Sequence, residues 1–442
     1  MGFSADRLVK VLQQFLPCHS YRVAYSGGLD SQVLLYSLVQ IRSQLPGIAL
    51  SALHVDHGLN LRSGQWSQHC RETCAGLGVR CEVIKVNAYP AKGESPEAAA
   101  REARYAALRD WVKEGECLLT GQHQDDQAET VLLQLLRGGG PHGLAAMAGV
   151  MPFGQGSLLR PLLPFSRAEL KAYAEQEGLA WIEDPSNFDV GFDRNYLRHQ
   201  VLPLLRQRWP GLGRTLSRAA RHQADAAWIL DYQGQQELMA VSGGEPGLSV
   251  QALQALAPPQ RRNLLRYWFK QQGLPLPDSA HLQRILEEVL PASEDAQPLV
   301  TWPGAEVRRY RNRVYVQKPL SPHEVTMAFA WKGVEPLILP PEVGGVLVPK
   351  MTRGFGLDAD QWQRGPITVR FRQGGERIHL TDRSSSCTLK KIFQERGIPP
   401  WQRARIPMIY VGEKLALVAG IGVARDFAAE PGREGVIIEW IP

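Results

Sequence analysis

Apolar and polar positions follow two rhythms along the first 140 residues. Short runs rich in Val, Leu and Ile recur: "RVAYS" (22–26), "LSALHVD" (50–56), "CEVIKV" (81–86) and "CLLTGQ" (117–122). Such runs read as strands buried on both faces. Between them lie "DSQVLLYSLVQIRSQL" (30–45), "SGQWSQHCRETCAGLG" (63–78) and "PEAAAREARYAALRDWVKEG" (96–115). All three have helical length, and the last is dense in the helix formers Ala, Glu and Arg. This alternation predicts an α/β fold, a parallel doubly wound sheet with helices on both faces. Ligands of such sheets bind beyond the carboxyl ends of the strands. Four features fall there: the loop Ser26 to Ser31, "HVDHG", the segment 87–95, and "GQHQDDQAET".

Later segments change texture. Gly138, Gly139 and Gly140 leave a mobile stretch, readable as a lid or as a plain linker. Ser166 caps a helix, with Glu169 completing a capping box. "WIEDPSNFDVGFDRNYLRHQVLPLL" is a polar loop that runs into another helix. From about 215 to 295 the pattern is helical, punctuated by Pro258-Pro259 and by Pro275 and Pro277. Alternating segments such as "EVRRYRNRVYVQK" follow, then a Pro- and Gly-rich stretch, 334–366. A last unit has strands "ITVRFR" and "LALVAGIGVA" and a helix "LKKIFQERG". The expected domains are 1–212, the doubly wound sheet; 213–330, mainly helical; and 331–442, a small α/β unit. No internal repeat is visible.

Charge adds a partner class. The net charge is +6. Between Arg194 and His222 stand seven arginines and no acid. Between Arg370 and Arg405, nine Lys or Arg face three acids, Glu376, Asp382 and Glu395. Two such dense stretches point to nucleic acid. No run of about 18 apolar residues exists, so a membrane span is not expected. The first residues lack the apolar core of a signal peptide, and a cytoplasmic protein is the default. The six cysteines form no CxxC pair, which argues against a zinc or iron–sulfur site; they read as reduced thiols packed in a core.

The chemistry starts at "SGGLDS" (26–31). Consecutive backbone N–H groups at a strand-to-helix turn make an anion nest, and the helix N-terminus adds positive potential. Ser26 and Ser31 hydroxyls can donate to phosphate oxygens. Asp30 beside a phosphate would be repelled unless a divalent cation sat between them, which marks Asp30 as a Mg²⁺-side ligand. The plainer alternative is a glycine turn with Asp30 at a helix start. No GxxxxGK[ST] or G-x-G-x-x-G is present. In "GQHQDDQAET", Asp126 and Glu129 are three apart and share a helix face. Acids in a first helical turn favour the dipole, which accounts for one or two carboxylates. It does not account for Asp125, Asp126 and Glu129 beside His123, a cluster suited to Mg²⁺ or to an amine substrate.

"SGGLDS", "HVDHGL", "EAAAREARY", "GQHQDDQAETVLLQLLRGGGPHGLAAM" and "WIEDPSNFDVGFDRNYLR" together resemble the tRNA(Ile)-lysidine synthetase family, within the PP-loop N-type ATP pyrophosphatases (adenine nucleotide alpha hydrolase-like). "VRFRQGGERI" and "LKKIFQERGIPPWQRARIPMIY" look like the terminal domain of that family's long form. The resemblance implies ATP-dependent ligation of L-lysine to C2 of the wobble cytidine in the CAU anticodon of an isoleucine tRNA. Codon reading then changes from AUG to AUA. The reaction passes through an adenylated cytidine, with pyrophosphate and AMP as products.

The resemblance also assigns residues. ATP would meet Ala24, Ser26, Gly27, Gly28, Leu29, Asp30, Ser31, His54 and Asp56, with Mg²⁺ on Asp30 and Asp125. Asp30, His123, Asp126 and Glu129 would be catalytic, the last three also binding lysine, with His123 a candidate base. Arg101, Arg104, Asn187, Arg194, Asn195 and Arg198 would face tRNA. Arg101 and Arg104 read equally well as solvated surface, and the polar loop residues as helix caps. In the last unit Arg372, Lys390, Lys391, Arg403 and Arg405, with Arg396, would contact phosphates, and Trp401 or Phe393 could stack on a base. Core packing is the alternative for Trp401. The oligomeric state stays open, a homodimer included.

Rival readings are weaker. A tRNA thiolase on this scaffold would carry sulfur on CxxC pairs or a catalytic cysteine, and no CxxC is present. GMP- or NAD-synthetase-like amide transfer lacks the middle motifs. A non-catalytic tRNA-binding protein would not need the intact Ser26–Ser31 loop and acidic cluster.

Overall fold

The computed structural model describes every residue except 1, 16–17, 46, 59–61, 90–95, 245, 295, 323, 325 and 442. The predicted 87–95 loop lies largely outside the described residues. The chain divides into two compact units, Met1–Leu230 and Asp231–Pro442.

The first unit opens with α1 (Ala5–Leu12), β1 (Ser20–Ala24), α2 (Leu29–Gln40), β2 (Ala49–Asp56), α3 (Ser63–Gly76), β3 (Arg80–Lys85), α4 (Pro96–Trp111), β4 (Glu116–Leu119) and α5 (Gln124–Leu136). It continues with α6 (Pro141–Leu144), β5 (Val150–Phe153), β6 (Gly156–Leu159), α7 (Arg167–Gln176), α8 (Asp193–Tyr196), α9 (Leu202–Arg208) and the start of α10 (Leu212–Ser242). The sheet order is β3-β2-β1-β4-β6-β5, parallel except for β5. Val23 pairs with Ala52 on one side and Leu119 on the other. Strand order therefore reverses at β1, and the loops after β1 and β4 become neighbours at the crevice where such sheets bind ligands.

The apolar runs do what their pattern predicts. Val23, Val33, Leu34, Leu35, Leu119 and Phe165 are fully buried in one core. Ser166 and Glu169 form the expected capping box on α7. The β5–β6 hairpin was not legible, because Pro152 and two glycines interrupt its short pattern. The glycines at 138–140 prove to end a helix: Gly138 has φ +71°, and the Gly139 N–H donates to the Gln134 carbonyl at 2.7 Å. Cys18 and Cys117 form a disulfide with Cα atoms 6.0 Å apart, against the reading of all six cysteines as reduced thiols. Cys70, Cys74, Cys81 and Cys387 are free.

The second unit carries the rest of α10, then β7 (Leu248–Ser249), α11 (Val250–Ala255), α12 (Pro258–Gln271), α13 (Ser279–Arg284), β8 (Leu299–Trp302), β9 (Ala305–Tyr310) and β10 (Arg313–Gln317). Its four strands order β7-β10-β9-β8 and share a core with Leu264, Trp268 and Phe269. Beyond residue 327 come a five-stranded and a four-stranded antiparallel sheet around one core. The short helices there are α14 (Ala359–Trp362), α15 (Leu389–Glu395) and α16 (Pro400–Arg403). Among the described residues no helix is long and apolar enough to cross a membrane.

Candidate active site

Tyr25 ends the first strand by donating its N–H to the Leu53 carbonyl at 2.8 Å. The chain then turns through Gly27 at φ +78°, a conformation that favours glycine. A Cβ at Gly27 would stand 2.8 Å from Ile182 Cδ1 and 3.0 Å from Cys70 Sγ. Gly28 caps α2 without a side chain. Ser26 Oγ and Ser31 Oγ lie 3.0 Å apart, and Ser31 Oγ donates to the Gly28 carbonyl. The two hydroxyls thus brace the loop. Leu29 is buried and Ala24 half-buried. Gly121 is a residue the sequence reading missed: a Cβ there would meet the Asp30 and Ser31 backbone at 3.1 Å. It lets the loop after β4 close onto the first turn of α2.

His54 and Asp56 serve the loop from beneath. His54 is 6% exposed; its Nδ1 lies 3.0 Å from the Tyr25 carbonyl, and burial pushes its pKa below the ordinary histidine value. Asp56 accepts from the Gly58 N–H and the Ser67 hydroxyl. Burial by itself raises its carboxyl, but these hydrogen bonds outweigh it and hold the pKa low.

The second half of the site is built on α5. His123 is the N-cap: Nδ1 accepts from the Asp125 and Asp126 N–H groups at 3.2 and 3.4 Å. This fixes the ring proton on Nε2, which faces Asp30 Oδ2 at 3.6 Å and Asp126 Oδ2 at 3.4 Å. Burial lowers the His123 pKa, but Asp126, Asp30 and Asp125 outweigh it, and the net direction is upward. A neutral ring in this tautomer turns no free lone pair toward Asp30, so the base role read from the sequence does not fit this arrangement.

Asp126 and Glu129 are 8% and 1% exposed. Arg194 donates to Glu129 Oε2 at 2.7 Å and Asp126 Oδ1 at 3.0 Å. Arg198 donates to both Glu129 oxygens, at 2.6 and 2.9 Å, and to Asp126 Oδ1 at 3.0 Å. Asp126 Oδ2 accepts the His123 backbone N–H at 3.0 Å. Burial raises the Asp126 carboxyl, but His123 and the two guanidiniums outweigh it and hold its pKa below the usual range. Every oxygen of the pair already has a donor. Arg194 and Arg198, expected to face tRNA, are thus the counter-ions of the acidic cluster.

Other predicted residues divide. Asp125, read as a second Mg²⁺ ligand, is committed elsewhere: it pairs with Arg206 and accepts the Arg167 N–H at 2.6 Å. Asn195 Nδ2 donates to the Ser186 and Asp189 carbonyls, both at 2.9 Å, so it clamps its own loop. Asn187 is exposed, and its carbonyl lies 2.8 Å from His199 Nε2. Arg101 and Arg104 lie over the Tyr105 ring, 4.8 and 5.9 Å from its centroid. Burial raises the Tyr105 pKa, but these arginines and Arg160 outweigh it and bring it below the ordinary tyrosine value.

In the last unit, Lys390, Lys391 and Arg396 are exposed, with Arg396 3.3 Å from Asp382. Arg372 lies 3.7 Å from Glu376. Arg403 is 9% exposed and donates to the Ile398 carbonyl and the Tyr310 hydroxyl. Arg405 donates to the Glu342 and Ser321 carbonyls. These two guanidiniums hold the unit together. Phe393 is fully buried, so it cannot stack on a base. Trp401 packs edge-on against Tyr310 and Tyr315 under the Arg308 guanidinium.

Asp30 Oδ1 is buried with no hydrogen-bond partner. An orphaned carboxylate oxygen at an anion nest fits a divalent cation shared with phosphates. Among the described residues no group of three or more His, Cys, Asp or Glu is arranged to hold a metal by itself.

The fold and site define a nucleotide-binding enzyme of the PP-loop type, with a phosphate nest beside a buried acid–arginine cluster. Residues 4–205 match the family model for the PP-loop domain, 248–315 that for the TilS substrate binding domain, and 367–440 that for the TilS substrate C-terminal domain. The tRNA(Ile)-lysidine synthase of Methylococcus capsulatus is 43% identical over 96% of this chain and 97% of its own. That of Coxiella burnetii is 40% identical over 100% of this chain and 97% of its own. The chain belongs to the tRNA(Ile)-lysidine synthase family.

Proposed function

We propose that this chain joins L-lysine to C2 of the wobble cytidine in the CAU anticodon of tRNA(Ile), using ATP. In the first step cytidine O2 attacks the α-phosphorus and pyrophosphate leaves. In the second the lysine side-chain nitrogen attacks C2, loses a proton, and the C2–O bond breaks to release AMP. The observation that carries the reading is the 3.6 Å approach of His123 Nε2 to Asp30. It joins the phosphate nest to the Asp126/Glu129 cluster in one crevice.

The geometry supports the following roles. N–H groups of residues 27–31 would take the charge that develops on pyrophosphate. Mg²⁺, held on the Asp30 side of the nest, would supply further neutralisation of that charge. His123 Nε2 would stand between the two carboxylates, facing Asp30 at 3.6 Å and Asp126 at 3.4 Å. Lysine would be held at Asp126 and Glu129 by exchanging its ammonium for an arginine donor. The released guanidinium then meets the substrate's carboxylate, which preserves the charge balance. Lys390 and Lys391, with Arg372 and Arg396, would contact tRNA phosphates, and residues 213–330 and 331–442 would serve tRNA rather than the chemistry. Arg101 and Arg104 would flank the nucleotide crevice.

The test is incubation with ATP, Mg²⁺, labelled lysine and bulk tRNA. Label is expected in one isoleucine tRNA, pyrophosphate release should require tRNA, and Asp30→Ala should lose both. If no tRNA elicits pyrophosphate, the reading fails.

A further inference from the structure

Helix α10 starts beside the catalytic cluster. A Cβ at Gly213 would lie 2.9 Å from the side-chain oxygen of Gln124, the first residue of α5. Just upstream, at the end of α9, Arg206 pairs with Asp125. The chain therefore leaves the cluster along the first turns of α10. This stretch lies between the matched domains, which end at 205 and resume at 248.

An α-helix turns about 100° and rises about 1.5 Å per residue, so Arg214, Arg218 and Arg221 share about 60° of arc over about 10 Å. All three are exposed, and no ion pair reaches them among the described residues. Ala220 and Ala227 on the other side are buried. The first acid after Asp193 is Asp225, which closes the basic stripe. Three guanidiniums fixed in a row repel one another and add nothing to the fold. A strand of regularly spaced phosphates neutralises them all at once. A second copy of this chain would bring the same positive face, which like-charge repulsion disfavours.

We propose that this stripe of α10 grips the phosphate backbone of the tRNA anticodon stem, guiding the wobble base into the neighbouring cluster. The inference rests on the reading of tRNA as substrate. It is tested with the full-length Arg214→Ala/Arg218→Ala/Arg221→Ala variant and a matching triple Lys variant. Three lost phosphate contacts should weaken tRNA binding at least tenfold and lower the slope of log affinity against log salt by about 2–3. ATP binding should stay unchanged, and the Lys variant should restore most of the affinity. Phosphate-ethylation mapping should show anticodon-stem phosphates protected by the wild type and exposed in the Ala variant. An unchanged salt slope, equal loss of ATP binding, or lost protection confined to another stem would overturn it. A wild type that binds no tRNA would instead overturn the proposed function.

Discussion

Replacing Glu129 by Gln removes one charge from a cluster in which it is nearly sealed. The Glu129 side chain is 1% exposed, and three arginine hydrogen bonds reach it at 2.6, 2.7 and 2.9 Å. Gln keeps one acceptor oxygen and turns an amide N–H₂ toward a guanidinium. Breaking one partner out of a buried ion pair costs about 3–5 kcal/mol, because the other charge stays buried. For a unit the size of Met1–Leu230, each kcal/mol moves the melting temperature by about 2–4 °C, so the fall should be roughly 6–20 °C. Scanning calorimetry of the full chain is the assay. The double variant Glu129→Leu/Arg198→Met leaves Asp126 facing Arg194 in charge balance. It should therefore recover much of the loss, a non-additivity expected of touching partners. Both variants should keep tRNA-dependent pyrophosphate release while losing lysine transfer. A Glu129→Gln protein that melts within about 2 °C of wild type, a small fraction of the expected shift, would refute the reasoning. So would a double variant that loses the sum of its singles.

Other perturbations reach different parts of the same argument. Gly27→Ala forces a side chain into the left-handed region, at about 1–2 kcal/mol, and drives a Cβ into Ile182; the KM for ATP should rise about tenfold or more. Asp30→Asn should move the melting temperature by only a few degrees, since Oδ1 has no protein partner and the Oδ2 contact to His123 Nε2 is long, at 3.6 Å, with about 2–4 °C expected per kcal/mol. Its pyrophosphate release should nevertheless fall by about 10²-fold or more. The Asp126 pKa is depressed, so its contribution to stability is complete above about pH 4 and is lost as pH falls through the lower folded value. The His123 pKa is raised, so its contribution is complete below about pH 6.5 and fades as pH rises through the folded value. His123→Asn keeps an N-cap acceptor; in calorimetric scans from pH 3 to 9 it should remove the alkaline drift and also shrink the acid-side loss, since His123 helps hold the Asp126 pKa down. Arg403→Met should destabilise the unit Asp231–Pro442 by about 2–4 kcal/mol through its two lost charged hydrogen bonds. Lys390→Ala/Lys391→Ala should leave melting intact and weaken only tRNA binding.

The parallel sheet was legible because each of its first four strands is a short apolar run between helical patterns. Buried strands need that composition whatever their neighbours are. The last unit was harder to read. Five of its strands, such as Arg377–Ile378 and Gly422–Val423, have two residues, too few to show a period of two. Phe393 and Arg403 look alike in sequence as candidate RNA contacts, yet one is core and the other a tether to Tyr310. An arginine's role depends on what sits across from it, and Tyr310 is 93 residues away in the chain. Lys390 and Lys391 are exposed on their short helix, where a solvated lysine pair is legible from sequence alone.

The same distance effect hid the central feature of the site. From the sequence, Asp126 and Glu129 formed an acidic face and Arg194 and Arg198 a basic one, each open to a different substrate. Their partners lie 65 to 72 residues apart, and only the fold closes that gap. The segment that delivers the arginines begins at the phosphate nest: the Ile182 N–H donates to the Gly27 carbonyl at 2.9 Å. Asn195 then pins the intervening turn through Ser186 and Asp189. One continuous segment of chain therefore runs from the Gly27 loop to the counter-ions of the acidic cluster. A Cβ at Gly27 would press on Ile182, on the segment that leads to Arg194 and Arg198. Order at the nest and neutrality at the cluster are thus properties of one segment. Under the proposed function, an ammonium entering at Asp126 and Glu129 would displace an arginine carried by the same segment whose Ile182 meets Gly27.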